Sequence, residues 1–413
     1  MGKYPERPLR EICTMLSGGT PTKSDSTLWR GDIPWVSPKD MDAWVLNDAE
    51  DHVARAALGN GTRLAPKGAT LIVVRSMTLG NRVQIGYLRR DMAFNQDLKA
   101  VVPGAEVDGR FLFYAFAAAR PFIRLLVDEA SHGTKRLQTE LLSQLQVPVP
   151  ALTEQRSIAL LLSSLDDKIE LNRTTSATLE HLARALFASS FGVLDPERLL
   201  DGWTVASLGE HLGVVRGLSY TGAGLADDGV PLHNLDSIHE GGGYKYEGVK
   251  HYRGNYKDRH VVHAGDLLVV NTEQGFDHLL IGFPALVPER FGDKSLYSAD
   301  LFRIKPSLDS HLTTRFLYLA LMSPRLRQLI VGYSNGTTVN HLAADGLQRP
   351  RLAVPPADLV QRFDRTVAPL FARREQIQLE SETLARLRDL LLPKLMSGEI
   401  RLKEAEKAVA EAL

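Results

Sequence analysis

The sequence predicts an α/β protein made of two tandem copies of one mixed α/β domain, each followed by a long helix. Two observations carry this expectation. Five sequence blocks recur in the same order with an offset of 196–205 residues, a period far too long for a solenoid and the size of a domain. Two stretches, one central and one C-terminal, carry unbroken heptad seams, the pattern of long helices that pack on one another.

Each copy reads the same way. Lys67-Gly68-Ala69-Thr70-Leu71-Ile72-Val73-Val74, then Ile85-Gly86-Tyr87, returns as Ala264-Gly265-Asp266-Leu267-Leu268-Val269-Val270, then Ile281-Gly282-Phe283. The apolar runs Leu71–Val74 and Leu267–Val270, bounded by Gly- and Pro-rich turns, predict strands. Arg110-Phe111-Leu112-Phe113-Tyr114-Ala115 returns as Arg315-Phe316-Leu317-Tyr318-Leu319-Ala320. Amphipathic helices are expected over residues 111–126 and 312–330. Gly133-Thr134 and Gly336-Thr337 follow, each read as a loop before a short helix. It would cap that helix or offer backbone N–H groups to a phosphate. Val147-Pro148-Val149-Pro150 and Leu352-Ala353-Val354-Pro355 close the two copies.

The first seam runs Ile158, Leu162, Leu165, Ile169, Asn172, Ser176, Leu179, Ala183, Leu186. The second runs Phe363, Val367, Leu370, Arg374, Ile377, Ser381, Leu384, Arg388, Leu391, Leu395. Each predicts a helix of about 30 residues, roughly 45 Å at 1.5 Å per residue. Both seams are polar in the middle, where buried polar groups fix register at a cost in stability. Pro369 lies in the second seam, so that helix is expected to start or kink there. The neighbouring carboxylates Asp166-Asp167 read as a solvated face. The boundaries are 1–150, 151–195, 196–355 and 356–413.

Composition removes several classes of function. The 413 residues are 44% hydrophobic and 24% charged, which is globular usage. The single cysteine, Cys13, excludes a disulfide framework and a Cys-based zinc site, and makes a reducing, cytoplasmic compartment the default. No apolar run reaches the roughly 18 residues of a membrane span. The 49 basic and 49 acidic residues cancel, so the chain does not advertise tight, autonomous nucleic-acid binding.

Catalytic signatures are missing as well. There is no P-loop, dinucleotide fingerprint, His-Glu-x-x-His, nucleophile elbow or amino-methyltransferase Pro-Pro-Tyr/Phe motif. His260-Val261-Val262-His263 has strand spacing and reads as structural rather than metal-binding. The residues point to a binding protein, with a coiled-coil scaffold for protein partners as the alternative.

Leu16-Ser17-Gly18-Gly19-Thr20-Pro21, then Trp29-Arg30-Gly31-Asp32-Ile33-Pro34-Trp35-Val36-Ser37-Pro38-Lys39-Asp40-Met41, resembles the start of a target-recognition domain of a type I restriction-modification specificity subunit. Pro148-Val149-Pro150-Ala151-Leu152-Thr153-Glu154-Gln155 resembles the entry to that family's helical spacer. Leu391-Leu392-Pro393-Lys394-Leu395-Met396-Ser397-Gly398-Glu399-Ile400 is similar to its C-terminal signature. The resemblance implies two α/β target-recognition domains separated by two long helices, packed as an antiparallel coiled coil with a pseudo-two-fold. It implies no catalysis by this chain. Each domain would read one half of a bipartite double-stranded DNA site, and the helices would set the spacing and dock two methylation subunits. Those subunits would carry S-adenosylmethionine, this chain would bind no cofactor or metal, and restriction subunits would join the full complex.

The second copy departs from this pattern: Val230-Pro231-Leu232-His233-Asn234-Leu235 stands where the first has Ile33-Pro34-Trp35-Val36-Ser37-Pro38. The two domains should therefore read different half-sites. Loop residues of types that read base edges are Thr20, Thr22, Lys23, Lys39, Arg75, Ser76, Lys135 and Arg136 in the first copy. In the second they are Arg216, Tyr220, Asn234, Asn271, Gln274, Thr337, Thr338 and Asn340.

Overall fold

The computed structural model of the chain describes residues 4–129, 134–275, 277–292, 294–336 and 338–412. It divides into two compact units, Met1–Glu170 with Glu380–Leu413, and Leu171–Leu379. Among the described residues, no helix is long and apolar enough to cross a membrane.

In the first unit, the apolar run around Leu71 becomes Thr70–Val73, the middle of a five-stranded sheet. The order there is Cys13–Ser17, Leu98–Pro103, Thr70–Val73, Ile85–Leu88, Val45–Leu46. All four residues of Thr70–Val73 are buried, which is why the run is continuously apolar instead of alternating. A second sheet orders Asp51–Val53, Ile33–Val36, Met92–Phe94, Arg63–Ala65. A three-stranded ribbon orders Val127–Glu129, Lys135–Leu137, Arg75–Ser76. The helix Gly109–Arg124 is capped by Asp108, whose carboxylate accepts from the N–H groups of Arg110 and Phe111. It buries Phe111, Leu112, Phe116 and Ile123 in one core with Ile158 and Leu162 of the spacer helix and Leu391 and Leu395 of the C-terminal long helix.

The second unit repeats this layout. Its Leu267–Val270 lies between Leu301–Pro306 and Pro284–Leu286, with Leu212–Arg216 at the edge. A five-stranded sheet contains Val230–His233, and a ribbon orders Thr272–Gln274, Val339–Leu342, Ser334–Asn335. The core gathers Phe316 from the domain, Phe187 and Phe191 from the spacer helix and Phe363 from the C-terminal long helix. Their ring centroids lie 4.8–5.7 Å apart, the range of favourable tilted and edge-on contacts.

A glycine follows the edge strand of each sheet, Gly18 after Cys13–Ser17 and Gly217 after Leu212–Arg216. A Cβ on Gly18 would lie 2.2 Å from the Asn95 carbonyl, and one on Gly217 2.1 Å from that of Ser298. Only glycine lets the chain leave the sheet so close to its neighbour.

Several expectations need correction. The long helices are Leu152–Phe191 and Ala357–Ser397, 40 and 41 residues, about 60 Å each at 1.5 Å per residue. The second neither starts nor stops at Pro369. Pro369 is exposed and lies beyond the first turn; the helix there is held by side-chain packing of Phe363, Val367 and Leu370, which outweighs local propensity. The single helix expected over 312–330 is two, Thr314–Leu321 and Pro324–Val331, because Pro324 takes the first position of a new helix. The segments just after the Gly-Thr pairs, Lys135–Leu137 and Val339–Leu342, are strands rather than the expected short helices. Gly133 and Thr337 lie outside the described residues. Asp167 is half exposed and pairs with Arg89. Asp166, by contrast, has a side chain only 11% exposed, because Tyr114 and Arg388 cover it.

In each unit the two long helices run antiparallel. In the first, Asp166 meets Arg388 and Lys168 meets Glu380. In the second, Glu180 meets Arg374 and Phe187 packs on Phe363.

Candidate nucleic-acid interface

The ribbon of the first unit carries an exposed pair of cations. Antiparallel pairing sets Arg136 directly opposite Arg75, and Lys135 opposite Ser76. Residues directly opposite share a face of the sheet, and like charges there repel. Both arginines are exposed, and neither guanidinium has a hydrogen bond or ion pair among the described residues. Lys135 pairs with Glu129. Ser76 Oγ lies 3.0 Å from Thr78 Oγ1. Arg136 also stands opposite Asp128 on the ribbon's other strand, so the row Asp128, Arg136, Arg75 carries two cations and one anion, an excess that an anionic ligand would offset.

The other first-unit candidates are divided. Thr22 and Lys23 are exposed in the loop after Pro21. Thr20 Oγ1 donates to Gln96 at 2.5 Å. Lys39 is held by Asp51 and Glu50, both at 2.9 Å, and these carboxylates keep its pKa above the usual lysine range. Lys39 is committed to an ion-pair cluster.

In the second unit three candidate asparagines lie inside. Asn234 Oδ1 accepts from the Asp236 N–H and its amide donates to the Gly248 carbonyl at 2.7 Å. Asn271 donates to the Ala299 carbonyl at 3.1 Å and accepts from Thr272. Asn340 donates to the Gly275 carbonyl at 2.8 Å. All three are less than 5% exposed and their amides organise turns, as Asn side chains do. Arg216 is exposed, with Nε donating to the Ala299 carbonyl at 3.1 Å. Gln274 and Thr338 are exposed near the ribbon tip. Tyr220 lines a cleft of about 610 Å³ that Gln274, Lys250 and Lys245 also border.

The sequence reading missed two residues. His341 sits opposite Thr272 on the second ribbon, where Arg136 opposes Arg75 on the first, and its side chain is exposed. Only strand register reveals the equivalence. Glu273 is 4% exposed, and its carboxylate accepts from the N–H groups of Leu279, Leu280 and Ile281 at 2.7, 3.2 and 2.8 Å. It anchors the loop beside Gln274 and does not face outward. The corresponding ribbons therefore present two arginines in one unit and histidine with glutamine in the other.

Among the described residues, no group of His, Cys, Asp and Glu is placed to hold a metal ion. Burial pushes the Cys13 thiol up to about 12, which leaves it unreactive. His260 accepts from the Lys257 N–H, and the His263 N–H donates to Asp266, so both serve turns.

Comparison with known proteins agrees with the fold and the motifs. Residues 1–181 match the type I restriction modification DNA specificity domain. The MjaIX specificity subunit of Methanocaldococcus jannaschii is 24% identical over 98% of this chain and 96% of its own length. The EcoR124I/EcoR124II specificity subunit of Escherichia coli is 29% identical over 40% of this chain and 41% of its own. The crystal structure of a type I restriction-modification S subunit from M. genitalium superposes with a TM-score of 0.60 at 14% identity, covering 96% of each chain, which is a likeness of fold. With its duplicated α/β layout and paired long helices, the chain is similar to the specificity subunits of type I restriction-modification systems.

Proposed function

We propose that this chain is the non-catalytic, cytoplasmic DNA-specificity subunit of a type I restriction-modification complex. Residues 1–150 and 196–355 each read one half of a bipartite site, and the helical segments 151–195 and 356–413 set the spacing. Two methylation subunits dock on the helices and carry S-adenosylmethionine, and restriction subunits complete the assembly. The observation that carries the reading is the facing pair Arg75 and Arg136: two exposed arginines side by side on one ribbon suit a polyanion. The neutral net charge fits a subunit whose partners supply much of the phosphate contact. Methylome sequencing of a host with and without this chain, its methylation subunits present in both, should show one bipartite motif that depends on the chain. Methylation without that motif would support the scaffold reading.

Within this scheme Arg136→Ala should relax one base position of one half-site, at a cost of about 1–3 kcal/mol in binding of the complex. Equal weakening on every sequence would mark Arg136 as a phosphate contact.

A further inference from the structure

We propose that two buried tyrosine–carboxylate–arginine triads, Tyr114–Asp166–Arg388 and Tyr318–Glu180–Arg374, are register pins. Each locks a recognition domain and both long helices into one alignment, and so makes the half-site spacing single-valued. The inference rests on the function proposed above and names the residues that decide spacing.

In the first unit Tyr114, on the helix Gly109–Arg124, donates to Asp166 Oδ2 at 2.6 Å. Arg388 donates to Asp166 Oδ1 at 2.7 Å, and its guanidinium lies 4.2 Å from the Trp44 ring. In the second unit Tyr318, on the helix Thr314–Leu321, donates to Glu180 Oε1 at 2.9 Å. Arg374 closes on the other Glu180 oxygen as an ion pair, with Phe371 beneath its guanidinium at 5.7 Å. Each triad takes its carboxylate from the spacer helix, its arginine from the C-terminal long helix and its hydroxyl from the domain. The side chains of Glu180 and Asp166 are 9% and 11% exposed.

Register is what these groups can decide. Asp166 and Glu180 are fourteen residues apart, and so are Arg374 and Arg388; both intervals are two heptads. A slip of one heptad would set Asp166 opposite Ser381 or Leu395, and Glu180 opposite Val367 or Ser381. Asp166 would then face no cation of the other helix, and Glu180 would keep only Arg184 of its own helix, whose side chain is 37% exposed. Apolar seam residues discriminate weakly among such slips, because one aliphatic side chain replaces another at little cost. A buried carboxylate without a partner discriminates strongly. Replacing a whole buried ion pair by apolar residues is, by contrast, often neutral or stabilising. The triads should therefore contribute uniqueness more than stability.

The test removes both triads from the assembled complex: Asp166→Leu, Glu180→Leu, Arg374→Leu, Arg388→Leu, Tyr114→Phe and Tyr318→Phe together. This variant should assemble with an unchanged or higher Tm, keep both half-site sequences, and methylate sites of neighbouring spacings as well as the original one. Removing either triad alone should keep a single spacing, since the other still holds the helices. A second readout needs no DNA. The cysteine pair Ser176→Cys with Gln378→Cys, one turn beyond the Glu180–Arg374 pin on each helix, should cross-link fully in the parent and at less than half that yield in the variant lacking both triads. A single spacing with full cross-linking in that variant overturns the proposal. So does loss of the folded complex, which would make the triads stability elements. Absence of any bipartite motif in the parent would instead overturn the proposed function, and cross-linking would still judge the pins.

Discussion

Glu180→Ala alone should destabilise the second unit by about 3 kcal/mol, the lower end of the roughly 3–5 kcal/mol for breaking a buried ion pair from one side. Both carboxylate oxygens are in use: Tyr318 and Arg184 reach Oε1 and Arg374 reaches Oε2. Alanine leaves the Tyr318 hydroxyl without its acceptor in a residue 1% exposed. It also leaves the Arg374 guanidinium without its anion. Two facts keep the cost from the upper end. Arg374 has a side chain 25% exposed and Arg184 one 37% exposed, so both cations recover some hydration. A loss of about 3 kcal/mol in a unit of this size lowers Tm by roughly 6–12 °C. Calorimetry of the purified chain measures it, and an unchanged Tm would show that the carboxylate contributes nothing net. The single substitution and the removal of all three partners should differ in sign or nearly so, because partners in one buried network are not additive.

Acidification to pH 5 should cost the second unit about 2 kcal/mol through one imidazole. His233 is completely buried. One ring nitrogen lies 2.6 Å from the Tyr244 hydroxyl and the other 2.8 Å from Ser295 Oγ. A neutral ring satisfies both contacts, accepting from Tyr244 and donating to Ser295. Burial pushes its pKa from 6.5 down to about 3. Above pH 6.5 the ring is neutral in both states and its contribution is fully present. Below 6.5 the unfolded chain takes up a proton that the folded chain refuses until near pH 3, so stability falls as pH falls. At 1.36 kcal/mol per unit, the 1.5 units to pH 5 amount to about 2 kcal/mol. Burial also lowers His211, His239 and His260, which adds the same sign. The His233 share is read as a difference. In His233→Gln, which cannot titrate, the loss between pH 7 and pH 5 in denaturant unfolding should shrink by about 2 kcal/mol. A variant with the parent's full loss would place the acid sensitivity elsewhere.

The candidate interface was only partly legible in the sequence. Residue type and a loop-like context selected Arg75 and Arg136, which lie exposed and opposite one another. The same criteria selected Asn234, Asn271 and Asn340, whose amides turn inward to backbone carbonyls. Asparagine is equally suited to a base edge and to a turn, and only burial separates the two uses. His341 escaped notice because its equivalence to Arg136 is a matter of strand pairing, not of local sequence.

The sequence by itself determined the duplication, the strand positions of Leu71–Val74 and Leu267–Val270, and the existence of two long helices. Those features are written as local periodicity and as repeated blocks, which need no knowledge of distant contacts. Tertiary structure alone decided that the C-terminal helix continues through Pro369, that the segment after Leu312 breaks at Pro324, and that Asp166 turns away from solvent while Asp167 faces it. Asp166 and Asp167 are adjacent and chemically identical, so no local rule distinguishes them. The difference lies in Tyr114, 52 residues before Asp166, and Arg388, 222 residues after it. Once these two approach, a carboxylate that would otherwise need water is satisfied by hydrogen bonds and an opposite charge.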